Sequence, residues 1–316
     1  MMNSTRLAGC CLLFAAAVCQ AADLGVVTIA DGGARVLRGA TWYKLVEGAR
    51  VQDGDVIEAA ERGQVQVELN SGPVVNFAGP AGLLAVSGGA AAREGKPAAT
   101  AEAYLPRGWL KFAAKKDGAP LRVRSASGAA GATDGVAVVH AETDVMEMFV
   151  ESGAAKLYEP GKGGGDGVAH DLKSGDFALR AGDRPFATAE VAPPKFIAGL
   201  PRHFRVPLPA LAAQYAVARV QLAADRPVSF AEAEPWLASP YRRLFIKRLQ
   251  TRLSDPEFRS AAAAKAQAYP EWQAMLAPAE AAKVESVKAE PPKPEPPKPE
   301  PEKPRSIFHW PWEKKD

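Results

Sequence analysis

Gly63-Gln-Val-Gln-Val-Glu-Leu69 alternates polar and apolar residues along its whole length. A period of two marks a strand with one face buried, because successive side chains leave opposite faces of a pleated chain. That reading puts Val65, Val67 and Leu69 in a core and leaves Gln64, Gln66 and Glu68 to water. The same pattern recurs on both sides. Gly25-Val-Val-Thr-Ile29, Ala34-Arg-Val-Leu37, Leu121-Arg-Val-Arg124, Val136-Ala-Val-Val139, Val145-Met-Glu-Met-Phe-Val150 and Ala155-Lys-Leu-Tyr158 are short runs of strand-forming residues. Glycine and aspartate turn signals separate them. No sustained helical period appears between Leu24 and about Val191. Many short strands at regular spacing imply an all-β domain, whether sandwich, barrel or solenoid.

The ends of the chain read differently. Arg6 precedes an apolar run from Leu7 to Val18, and Cys19-Gln20-Ala21 supplies a small-x-small cleavage pattern. This is a secretory signal over residues 1–21, with the mature chain starting at Ala22. The run is shorter than the roughly 20 apolar residues a membrane helix needs. Leu7-Ala8-Gly9-Cys10 matches a lipoprotein box in its letters, but most of the apolar stretch follows it, so ordinary cleavage is the better reading. Cys10, Cys11 and Cys19 are the only cysteines, and all lie in the signal. The expected mature chain is periplasmic and has no thiol for a disulfide, a nucleophile or a metal. A net charge of +3 on 316 residues lacks the single-sign field of a nucleic-acid binder.

The order of the β motifs is more specific than any one of them. Ala34-Arg-Val-Leu37, Leu45 to Gly48, the Gly54-Asp55-Val56-Ile57 turn and Gly63 to Leu69 come first. Gly108-Trp-Leu-Lys-Phe112, Arg122-Val-Arg124, the small-residue bend Gly128 to Thr133, Glu151-Ser-Gly153-Ala-Ala-Lys-Leu157 and Leu172 to Phe177 follow. This arrangement resembles the FecR-like periplasmic domain over residues 25–190, about half the chain. The resemblance implies a β-helix-like or jelly-roll-like domain with a binding or signalling role in the envelope. Sigma-regulator members of that family carry an anti-sigma segment and a membrane helix ahead of the β domain. Here a cleavable signal stands in that place, which argues against direct signalling to a sigma factor.

The β domain is expected to span residues 22–192, ending at Pro193-Pro194. A small α-helical domain then occupies 193–277. Ser229-Phe-Ala-Glu232 is a capping box, and Ser239-Pro240 and Asp255-Pro256-Glu257 read as caps with proline at the first helical position. Helices are expected from Pro207 to Ala224, over Tyr241 to Leu253 with Tyr241, Leu244, Phe245, Leu249 and Leu253 on one face, and over Phe258 to Ala268. Trp236, Phe258, Tyr269 and Trp272 are core anchors in this reading. Residues 278–316 form a disordered tail, whose Pro-Lys-Pro-Glu repeats favour extended polyproline conformation. It ends in Ile307-Phe-His-Trp-Pro-Trp312 and four charged residues.

Catalytic signatures are sparse. His140, His170, His203 and His309 have no ligand spacing, no serine sits in a G-x-S-x-G elbow, and Gly161 to Gly167 lacks the ending of a phosphate loop and reads as a hairpin tip. Asp53 and Asp55 flank a turn glycine and read as turn chemistry rather than a glycan-cleaving pair. No enzyme activity, cofactor or metal is expected. The binding candidates are the basic residues Arg242, Arg243, Lys247, Arg248 and Arg252, joined by Arg259, which suit an anionic partner. Trp310 and Trp312 are a candidate docking end. Trp42, Tyr43 and Trp109 could stack on a sugar or lie in the core. The sequence therefore describes a non-catalytic envelope binding or scaffold protein whose partner is an envelope protein or peptidoglycan. A glycan-acting enzyme with dispersed carboxylates and an accessory subunit of an envelope machine are the alternatives.

Overall fold

The computed structural model describes residues 23–86, 100–116, 118–162 and 165–276. The signal with Cys10, and the tail with His309, Trp310 and Trp312, lie outside the described residues. The chain is mostly β, one large curled mixed sheet with a few short helices near its C-terminal end.

The first strands are β1 (Asp23–Ala30), β2 (Arg35–Arg38), β3 (Thr41–Lys44), β4 (Arg50–Gln52), β5 (Val56–Ala59), β6 (Gln64–Leu69), β7 (Val74–Ala78) and β8 (Ala81–Val86). After them come β9 (Ala101–Tyr104), β10 (Gly108–Ala114), β11 (Leu121–Ser125), β12 (Gly128–Glu142), β13 (Val145–Pro160), β14 (Asp166–Lys173), β15 (Phe177–Ala181) and β16 (Ala187–Ala189). A final strand, β17 (Ala224–Pro227), lies far along the chain.

Two runs of strands meet on the long β12–β13 hairpin. One is β4-β1-β6-β7-β10, which reaches β12 at residues 135–141. The other is β17-β3-β2-β5-β8-β9-β11, which reaches β12 at residues 128–132. The pairing of β9 with β11 is parallel and the other described pairings are antiparallel. The hairpin bends between the two runs, where its register shifts at Ala132/Asp134 and Val136/Ala137. Gly135 and Gly153 face each other there. A Cβ on Gly153, at φ +75°, would fall 2.4 Å from the Asp134 carbonyl oxygen, so only glycine fits this corner.

Bending folds the sheet over on itself. Val27, Val67, Val75, Leu110 and Phe112 of the first run share one buried cluster with Val36, Ile57, Ala103 and Val123 of the second. The predicted alternation in β6 holds for Val65 and Val67, but Gln66 and Glu68 are buried rather than hydrated. The cause is a later segment laid over the outer face. Gln66 Nε2 donates to the Pro209 carbonyl at 2.8 Å, and Glu68 Oε1 accepts from the backbone of Leu211 and Ala212 at 2.6 and 3.0 Å.

That segment corrects a second expectation. Residues 207–224 do not form an α-helix; they form an extended strap with a short 3₁₀ turn over Ala212–Tyr215. Helix formation needs the backbone groups that the sheet has taken: Gln66 and Glu68 hold Pro209 to Ala212, and Arg50 holds the Tyr215 and Ala216 carbonyls. Upstream, α1 (Pro194–Gly199) and the turn after it plant Phe196 and Phe204 on Ala78, Val138 and Phe177. Downstream, β17 joins the edge of β3.

The remaining helices are α2 (Phe230–Leu237), α3 (Arg242–Leu249), α4 (Pro256–Ala264) and α5 (Pro270–Leu276). They cover the outer face of the second run. Phe230, Trp236, Phe245, Leu249, Phe258, Tyr269 and Trp272 pack as one buried cluster with Leu37, Trp42, Val56 and Tyr104 of the sheet. On α3 the buried set is Phe245, Ile246 and Leu249, so Ile246 belongs to the face and Leu244 is half-buried. Asp255 caps α4 as expected. Ser239 does not cap α3. Its hydroxyl donates to the Trp236 carbonyl at 2.6 Å and accepts from the Tyr241 amide, which makes a turn, and the helix starts at Arg242.

Ser229 and Glu232 form the expected capping box at α2. Hydrogen bonds from Arg226 chiefly, with those from the Ser229 amide and hydroxyl, hold the Glu232 carboxyl far below its ordinary value against the effect of burial. A lowered folded value means that the unfolded chain binds the proton more readily. Glu232 therefore stabilises the fold above about pH 4.5, and its contribution drains as the pH falls below that value. Glu232→Gln keeps the cap but removes the charge. In urea unfolding it is expected to be less stable than the parent at pH 6, with the gap closing towards pH 3. A gap that stays constant would refute this origin.

Candidate functional site

The predicted basic residues divide into two groups. Arg248 donates to the Gly54 and Asp53 carbonyls of the sheet, and Arg252 donates to the Val228 carbonyl and pairs with Asp255 at 2.7 Å. Arg259 donates to the Leu276 carbonyl. These guanidinium groups tie the helices to each other and to β-strand turns. Arg242, Arg243 and Lys247 are exposed. Arg242 pairs with Glu271 at 3.3 Å, whereas Arg243 and Lys247 have no partner among the described residues.

Arg242 and Arg243 stand on the wall of a cleft of about 730 Å³ between the helices and the sheet. Its floor is aromatic. Tyr104, the last residue of β9, and Tyr269, just before α5, line it with Ala126, Leu237 and the Ser239-Pro240 turn. A second cleft of about 360 Å³ adjoins it, lined by Glu102, Arg124, Glu159, Gly165 and Tyr241 among others. Ala126 and Pro240 border both, so the two are lobes of one trough.

Local sequence explains this geometry. Ala101-Glu-Ala-Tyr104 alternates, with Ala101 and Ala103 in the sheet core and Glu102 and Tyr104 on the face towards the helices. Arg124 lies between two carboxylates, 2.9 Å from Glu102 and 2.9 Å from Asp166. Tyr241 donates its phenol proton to Glu102 from the other side and sets its ring edge-on to Tyr104, centroids 5.4 Å apart. Burial first, and then the Glu102 carboxylate, push the Tyr241 phenol well above the ordinary tyrosine value, so it stays a donor. Burial likewise raises Tyr104. Glu159 is held by His170 at 2.9 Å. The trough thus offers fixed charges beside largely buried tyrosine rings, which are means of recognition.

Other candidates lie elsewhere. Trp42 is fully buried beneath the Arg35 guanidinium, 4.0 Å away, and Trp109 stacks on His140 and packs against Phe196, which puts both in the fold. Tyr43 is half-buried against the sheet core. Asp55 is buried and takes both ends of the Arg38 guanidinium, as a turn residue tied into the sheet. Strands β13 and β14 pair antiparallel, Pro160 with Asp166 at the near end, and residues 163 and 164 of the glycine-rich connection lie outside the described residues. Among the described residues no three His, Cys, Asp or Glu side chains come together as a metal site, and no helix is long and apolar enough to cross a membrane. None of Tyr104, Tyr241, Tyr269, Glu102 and Arg124 was expected from sequence as a site residue; Tyr241 and Tyr269 were expected in the helical core. The alternation in Ala101–Tyr104 was the one available signal, and it says only that two of its side chains share a face.

No family model matches the chain, and no curated protein matches it. Two crystal structures of a "putative anti-sigma factor" from Parabacteroides distasonis ATCC 8503, at 2.50 and 1.65 Å, are similar to it. Each is 16% identical with a TM-score of 0.36, and the likeness covers 45% of this chain. The chain spans 62% and 63% of those two proteins.

Proposed function

We propose that this is a non-catalytic binding or scaffold protein of the cell envelope, exported by its signal segment, which holds a cell-wall or protein partner in the trough between helices and sheet. The observation that carries the reading is the pair Arg242 and Arg243 beside a cleft floored by Tyr104 and Tyr269, with Arg243 left unpaired among the described residues. An exposed arginine next to aromatic faces suits a carboxylate on a partly apolar ligand. Peptidoglycan, rich in peptide carboxylates, fits that description. The FecR-like strand order agrees with a recognition module rather than a catalyst.

The test is co-sedimentation with isolated peptidoglycan sacculi. The mature chain, Ala22 to Asp316, and a version ending at Ala277 are expected to pellet with sacculi, and Arg242→Glu with Arg243→Glu to lose at least tenfold in bound fraction at low salt. Retention by the double variant would remove the trough from the interaction. No pelleting by either parent form would sink the wall-binding reading and turn attention to a protein partner.

A further inference from the structure

The two lobes of the trough differ in charge, and two chain elements set them in line. Strand β9 gives Glu102 to one lobe and Tyr104 to the other, an offset of about 7 Å along an extended strand. The α2–α3 turn runs beside it, giving Tyr241 to the first lobe and Arg242 and Arg243 to the second. Around the first lobe the carboxylates of Glu102, Glu159 and Asp166 stand against the guanidinium groups of Arg122 and Arg124. At that end three carboxylates stand against two guanidinium groups, so carboxylates outnumber guanidinium groups. At the second lobe Arg242 and Arg243 stand against Glu271 alone, an excess positive charge.

We infer that the trough takes a short zwitterionic peptide, with an amine in the lobe of Glu102 and Glu159 and a carboxylate on Arg243 and Arg242. Small apolar side chains lie between them, along the cleft wall of Ala126, Leu237 and Pro240. The inference rests on the trough being the ligand site proposed above, and it narrows the ligand class. A neutral glycan meets neither charged end. A polyanion such as a nucleic acid or an anionic lipid surface would set its second charge against the acidic lobe. The offset between Glu102 and Tyr104 equals two residues of extended chain, with the lysine side chain of a longer peptide free to reach into the acidic lobe.

The probe is Nα-acetyl-Lys-D-Ala-D-Ala, together with its all-L counterpart, titrated calorimetrically into the full-length chain at pH 8 and low salt. One form is expected to bind. Acetylating its lysine amine or amidating its carboxyl end should each weaken it at least tenfold. Arg243→Glu should abolish the sensitivity to amidation, and Glu159→Gln should reduce the sensitivity to acetylation. Blocked peptides binding as well as the free one, or no binding of either form, would overturn the inference. Sacculi are assayed with the same variants. Pelleting that depends on Arg243 without peptide binding would leave the trough as a wall site and reject only the zwitterionic ligand. Peptide binding without pelleting would reject the wall and keep the ligand class.

Discussion

Trp236→Ala is expected to lower folding stability by about 4 kcal/mol, within the range for removing a buried tryptophan. Trp236 is almost fully buried and anchors the helices to the sheet. Its ring packs on Phe245 at 5.6 Å between centroids and meets the edge of Tyr104 at 6.4 Å. It lies so close to β8 that a Cβ added to Gly82 would come within 2.5 Å of it. Alanine would leave a void between two layers, each held by its own hydrogen bonds and unable to close the gap. The measurement is denaturant unfolding followed by tryptophan fluorescence and circular dichroism. Two separated transitions would show the helices leaving the sheet before the sheet unfolds. A loss below about 1 kcal/mol would mean that Arg248 and the other polar ties hold the helices without it. Because the residues after Trp236 form the turn that carries Arg242 and Arg243, the variant should also lose binding in the sacculus assay.

Lys111→Met is expected to cost about 3 kcal/mol, the scale set by hydrogen bonds to a buried charge and by breaking a largely buried ion pair. Lys111 is only 2% exposed, in the middle of β10. Its ammonium donates to the Phe204 carbonyl at 2.7 Å and the Val206 carbonyl at 3.0 Å, and it pairs with Glu151 at 2.7 Å. Methionine keeps most of the volume and removes all three donors. The Phe204 and Val206 carbonyls, just ahead of the strap, then lose their partner, while Glu151, 29% exposed, recovers water. Urea unfolding measures the loss. Trypsin cleavage after Arg202 and Arg205 should accelerate in the variant, because the turn that leads into the strap is what Lys111 holds. Unchanged cleavage with lowered stability would place the cost in the sheet instead.

Lys111 also shows where sequence reading stops. It sits inside Gly108-Trp-Leu-Lys-Phe112, a strand signal, and a lysine there reads as a solvent-facing position. Its burial depends on a segment more than 90 residues later in the chain. Gln66 and Glu68 are the same case, polar residues of a strand with one face expected to be wet and covered by residues 209–212. Local alternation states which side chains share a face. It does not state what lies against that face, because the covering element is chosen by contacts between distant residues.

The helix expected over 207–224 failed for the complementary reason. Its residues could pack as a helix, but sheet side chains compete for its backbone groups, and tertiary partners outweigh intrinsic propensity. The caps at Ser229 and Asp255 were legible because a cap is made by residues two or three apart, which the sequence lists side by side. Arg248 and Arg252 illustrate the limit for function. Their charge was plain from sequence, yet Gly54, Asp53 and Val228 claim their donors, and only Arg242, Arg243 and Lys247 stay exposed.

By itself, then, the sequence determined the β character of the described residues between 25 and 190, the caps at Ser229 and Asp255, and the anchors Trp236, Phe258, Tyr269 and Trp272. Each is written in spacings of a few residues, where backbone geometry alone links pattern to structure. Tertiary structure alone decided that the sheet folds over at Gly135 and Gly153, that a strap seals one outer face and helices the other, and that Glu102, Tyr104, Tyr241 and Arg243 share one trough. Those outcomes depend on which buried surfaces and backbone donors meet across more than a hundred residues, and no local pattern encodes that choice.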